Sequence, residues 1–152
     1  MNKLPEVESA KALMTEAMSW SVMRWLREKK RVRKTADIAN AALDKLSETT
    51  KARWNDSVKA AYEDIAPSDE LSATGKRGKQ GSSTIDHRSI ALAKRLKDAD
   101  DEARRARLDA ERTFDDAERQ LSTSLAREGC RKAIHGWELH EKAIRKAETA
   151  CE

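Results

Sequence analysis

Residues 6–66 contain neither glycine nor proline, and neither do residues 82–128, whereas Pro67, Gly75, Gly78 and Gly81 crowd into the stretch between them. Within a helix, glycine costs about 1 kcal/mol and proline about 3 kcal/mol relative to alanine, so long spans free of both are spans that can stay helical. The pattern predicts two helical tracts, 5–66 and 85–151, joined by a flexible basic linker over 67–84. Pro5 fits the first helical turn, and Glu6 and Glu8 follow it where carboxylates complement the helix dipole.

With 38% hydrophobic, 38% charged and 4% aromatic residues, the chain lacks the β-branched and aromatic content of a sheet. An all-α fold of 152 residues in one helical domain is expected. The net charge of +4 is too small to mark a nucleic-acid packaging protein. The amino terminus has no basic stretch leading into an apolar one, and no run approaches about 18 apolar residues. A cytoplasmic protein without a transmembrane segment is the expectation. Cys130 and Cys151 fall on one helical tract, roughly 30 Å apart at about 1.5 Å per residue, too far to pair within one chain.

Apolar and small residues recur every 3.6 positions or so, first through Val7, Ala10, Met14, Ala17, Ser21 and Trp25, then through Val32, Ala36, Ala39, Leu43 and Leu46. A second stripe runs through Leu92, Leu96, Ala99, Ala103, Ala106, Ala110, Phe114 and Ala117. Within the first tract the weakest helix former is 47–50, and that is where a break is expected if there is one. In the second, Gly129 is expected to kink the helix, with a true turn as the alternative. Pairs four apart, such as Asp100 with Arg104 and Asp115 with Arg119, are expected to support the exposed side.

Folding the tracts antiparallel about Gly75 sets residues whose numbers sum to about 150 opposite one another. Leu43 and Leu46 then meet Ala103, Ala106 and Ala110, Phe114 meets Ala36, and Arg31, Arg33 and Lys34 meet Asp115, Asp116 and Glu118. Large against small and basic against acidic are independent checks, and both favour an elongated, self-associating helical hairpin resembling a coiled coil. A compact four-helix bundle is the alternative.

Chemistry of the catalytic kind is missing. No histidine stands in a Glu-x-x-His spacing, and His135 and His140, five apart, point to different sides of a helix, so they are read as solvated polar residues. The tip from Gly75 to Gly81 lacks the Gly-Lys-Ser/Thr ending of a phosphate loop. No catalytic, metal or cofactor-binding residue is assigned, and no cofactor is expected. The function expected is a non-enzymatic structural or protein-interaction module.

Two surfaces carry that expectation. The segment 12–26 is apolar beyond one stripe, and Met18, Trp20, Val22 and Leu26 are the expected partner contacts, for a homo-oligomer or another helical protein. Arg24, Arg27, Lys29, Lys30 and Arg31 in the basic segment 24–34, with Lys76, Arg77 and Lys79 at the tip, are candidate anion-binding residues. Nucleic acid or another anionic surface is therefore the alternative partner, disfavoured because acidic residues face the basic segment.

Overall fold

The computed structural model describes the backbone of residues 3–71 and 76–151, and the side chains of residues 3–56 and 90–150. The described residues form helices α1 (Pro5–Ala17), α2 (Val22–Leu71), α3 (Lys76–Gln120) and α4 (Thr123–Cys151), with no strand. The fold is all-α. α2 and α3 reach into the stretch expected to be a linker, and residues 72–75 lie outside the described residues.

Hydrogen bonds and ion pairs fix how the helices run. Lys11 meets Glu141 and Met18 meets Arg127, so α1 is antiparallel to α4, and Arg24 reaches back to Glu16 as α1 doubles back on α2. Arg33 meets Asp115 and Glu118, and Arg107 meets Asp44, so α2 and α3 are antiparallel with partner numbers summing to about 150. Lys132 bonds Asp109, turning α4 back along α3. Trp137 donates to Asn40 and Thr50 to Glu148, so α4 runs parallel to α2. The result is four helices alternating in direction at one end and three beyond the start of α1.

The stripes read from the sequence are the buried ones. Val7, Met14, Trp25, Val32, Leu43, Phe114 and Ile144 lie in one core, while Leu92, Leu96 and Ala147 form a smaller cluster with Trp54. Trp25 packs on Phe114 at a ring-centroid distance of 5.3 Å and an angle of 42°, favourable offset geometry. Burial of a side chain such as Leu43 contributes about 1.5–3 kcal/mol, and its truncation to alanine costs about 2–5 kcal/mol.

The first tract is two helices, and its break is at residues 18–21, not 47–50. Ser21 Oγ accepts from the Arg24 amide at 3.2 Å and caps α2, a local alternative to helix that serine offers readily. Residues 47–50 stay helical because their hydroxyls have partners. Ser47 donates to Asp100 and Thr50 to the Leu46 carbonyl.

In the second tract the break falls at Leu121 and Ser122 rather than Gly129. Gly129 lies inside α4, where the Phe114 ring occupies the space a Cβ would need. Gly136 does the same for Ala106, whose Cβ would be 2.8 Å from an added Cβ. Both glycines let α3 and α4 approach closely, so the small residues Ala103, Ala106 and Ala110 serve α4 as well as α2. Among the charges, other partners displace the expected pairs: Asp100 binds Lys51 and His140 and Asp115 binds Arg33 on neighbouring helices, while Arg119 binds Asp116 one turn before it.

Candidate functional site

Both tight turns lie at the same end of the bundle. Arg127 at the start of α4 donates to the Met18 carbonyl at 2.7 Å, and Lys29 near the start of α2 meets Glu118 near the end of α3 at 2.9 Å. α3 ends in a Schellman turn, with the Ser122 amide bonding the Ala117 carbonyl at 3.0 Å and the Leu121 amide reaching that of Glu118 at 3.4 Å. Ser122 Oγ then caps α4 by accepting from the Leu125 amide at 3.2 Å. The left-handed position in that turn, ordinarily glycine, is Leu121 with φ 51°, a conformation that costs an L-residue roughly 1–2 kcal/mol. Its side chain is 61% exposed.

The expected partner residues divide. Trp20 is buried in the core, under the Arg24 guanidinium at 4.6 Å from the ring centroid, and its Nε1 has no hydrogen-bond partner. Doubling back of α1 covers it, so Trp20 is an interior residue and offers no contact surface. Met18, Val22 and Leu26 are half-buried, with Met18 packed on the core. The large apolar residue most exposed on this segment is Met23, at 66%, which belongs to the apolar excess of 12–26 but not to the four expected contacts.

The basic segment divides too. Arg24 pairs with Glu16, Lys29 with Glu118, and Arg31 with Glu28. Arg33 holds Glu111, Asp115 and Glu118 together. Burial opposes the Arg33 charge, but the Asp115 hydrogen bond and the three carboxylates outweigh it and hold its pKa above the usual value. Glu111 is pushed above the ordinary carboxylate range by burial and by Asp115, Asp37 and Glu118, with Arg33 opposing. Among the described residues, Arg27, Lys30 and Lys34 are exposed and have no ion pair or hydrogen bond. The side chains of Lys76, Arg77 and Lys79 lie outside the described residues.

Deeper in the bundle, His140 is buried rather than solvated. Its Nε2 lies 2.9 Å from Asp100 Oδ1, which also accepts from Ser47 at 2.9 Å, while Lys51 holds Oδ2. Burial works against the Asp100 charge, yet bonds from Lys51, His140 and Ser47 hold its pKa below the usual range. His140 Nδ1 has no partner, and the ring borders a small cavity of about 20 Å³ with Asn40, Gly136 and Trp137. The cluster ties α2, α3 and α4 together. Its serine bonds the carboxylate, not the imidazole, so it has no activated nucleophile. Cys130 is buried, and burial pushes its thiol up to about 11, with Trp25 and Arg131 offsetting only part. Such a thiol is unreactive at neutral pH.

Among the described residues, no three His, Cys, Asp or Glu side chains gather as a metal site. No helix there is long and apolar enough to cross a membrane. No family model, curated protein or solved structure matches the chain. The surface with the most unexplained features is the turn end, carrying exposed Met23 and Leu121, half-exposed Val22 and Leu26, and the open cations Arg27, Lys30 and Lys34. Leu121 had a usable signal in the sequence, since Ser122, Thr123 and Ser124 follow it as a helix-start run.

Proposed function

We propose that the chain is a non-enzymatic protein-interaction module whose contact surface is the turn end of the bundle. The observation that carries this reading is Leu121, an exposed leucine in a left-handed position that glycine fills at lower cost. Backbone strain retained by a large apolar side chain facing solvent supports a contact made by that side chain. Met23 adds a second exposed apolar group on the neighbouring helix start, and Val22 and Leu26 flank it. The partner is another helical protein or a second copy of this chain.

The test is sedimentation of the wild type and of Met23→Ser/Leu121→Ser, with circular dichroism alongside. The wild type self-associates or binds a helical partner, and the double variant loses that association at unchanged helicity. Association indifferent to both substitutions overturns the reading, as does a wild type that binds neither itself nor any helical protein.

A second reading, binding to an anionic surface, is favoured by one observation, the unpaired row Arg27, Lys30 and Lys34. Arg24, Lys29 and Arg31 are held by carboxylates within the fold and contribute little to it.

A further inference from the structure

We infer that the outer face of α2 is a seat for an acidic amphipathic helix of a partner protein; this rests on the interaction reading above and names the partner's chemistry. Met23, Arg27, Lys30, Lys34 and Ile38 follow one another at steps of four, three, four and four, so they form a single row along the helix. All five are exposed, Met23 by 66% and Ile38 by 47%. The neighbouring faces of α2 are occupied: Trp25, Val32, Ala36 and Ala39 point into the core, while Lys29 and Arg33 face α3.

Charge accounting sets the sign of the partner. Within residues 16–34 and 111–131 every carboxylate already has a cation: Glu16 and Glu28 on the α1 and α2 side, and Glu111, Asp115, Asp116, Glu118 and Glu128 opposite. Every carboxylate of these two stretches is therefore held by a cation other than Arg27, Lys30 and Lys34, and the one open carboxylate next to the row is Asp37, a turn past Lys34. The row stops being basic after Lys34, where Ile38 follows, which limits the charged stretch to about two turns.

The order of residues along the row selects among anionic partners. A membrane-surface helix buries a continuous apolar face and keeps its cations at the margin. Here the cations sit in the middle, so inserting Met23 and Ile38 would drag Lys30 into the acyl layer. A phosphate backbone would pair the cations but leave both apolar ends uncovered. A second copy docked symmetrically on the same face would set Lys30 against Lys30 and Arg27 against Lys34, a like-charge contact. A helix carrying apolar residues about 22 Å apart, with carboxylates between them, satisfies both ends and the middle.

The probe is a synthetic helical peptide with leucines fifteen positions apart and glutamates at the intervening positions facing the row, read by fluorescence anisotropy. Its lysine counterpart, vesicles of phosphatidylserine and phosphatidylcholine, and a DNA duplex are run in parallel. The wild type binds the glutamate peptide more tightly than the other probes, and binding weakens as salt rises. Arg27→Glu/Lys30→Glu/Lys34→Glu lowers the affinity at least tenfold, Met23→Ser lowers it several-fold, and exposed Lys142→Glu on α4 leaves it unchanged. Failure to bind the glutamate peptide, or equal binding by the triple variant, overturns the inference. Preference for vesicles or duplex, lost in the triple variant, overturns it in favour of a lipid or nucleic-acid partner. Loss of the inference while association dependent on Leu121 persists leaves the interaction reading standing, whereas loss of both removes it.

Discussion

The ring of Phe114 fills the space beside the Gly129 Cα, closer than any Cβ there could come. The contact explains why glycine stands inside α4 without breaking it. Replacing a mid-helix glycine by alanine ordinarily stabilises by about 1 kcal/mol through propensity, but Gly129→Ala must push a buried ring, at a cost of about 1–3 kcal/mol. Urea denaturation should therefore show a net loss of stability, larger than for alanine at an exposed α4 site such as Glu138. A net gain would mean that α3 and α4 do not approach at this point.

Leu121 offers the opposite case. Leu121→Gly relieves a left-handed leucine at φ 51° and should raise thermal stability by up to about 1–2 kcal/mol, while weakening the association that the exposed side chain supports. Ser122→Ala removes the α4 cap and should cost about 0.5–2 kcal/mol. If glycine at 121 lowers stability, the turn is not the one described.

Asp100 sets the acid behaviour of the bundle. Its pKa is depressed in the folded chain, so the stabilisation it contributes is present above its unfolded value and lost as pH falls through the folded one. Asp100→Asn should cost about 1–3 kcal/mol at pH 7, because Lys51 and His140 lose a charged partner. The difference between the two proteins should shrink below about pH 4. A difference that persists or grows at pH 3 would contradict the sign.

Cys130, buried with its thiol raised to about 11, should be alkylated only as fast as the chain opens. In a Cys151→Ser background, iodoacetamide labelling at pH 8 should be slow in buffer and fast in urea. Rapid labelling of the native protein would place Cys130 at the surface.

Much of the architecture was legible in the sequence because periodicity reports burial directly. The positions Val32, Ala36, Ala39 and Leu43 are interior as read, and the antiparallel register of α2 on α3 follows from side-chain size and charge. What periodicity cannot report is a reversal of direction. A four-residue turn at 18–21 keeps the apolar spacing nearly in phase, so Ser21 read as a seam residue although it is a cap. That misreading hid the burial of Trp20 and kept Met23 out of the expected contacts. The candidate site was visible only as segment 24–34, because which cations remain free depends on partners as far along the chain as Glu118 is from Lys29 and Arg33. Alanine at 106 illustrates the same limit. It lies against Gly136 on α4, where an added Cβ would come within 2.8 Å of its own, and Arg107 beside it bonds Asp44 and the Asn40 carbonyl.

The central claim is that α1 doubles back on α2, which buries Trp20 and brings both turns to one end. A spin-label distance between exposed positions 9 and 37 measures this directly, using Ser9→Cys and Asp37→Cys with Cys130→Ser and Cys151→Ser. A continuous helix would hold these positions about 42 Å apart at about 1.5 Å per residue. The folded-back arrangement predicts a single population below about 25 Å, as packed helices lie about 8–10 Å apart between axes, and a distribution centred near 42 Å would contradict it.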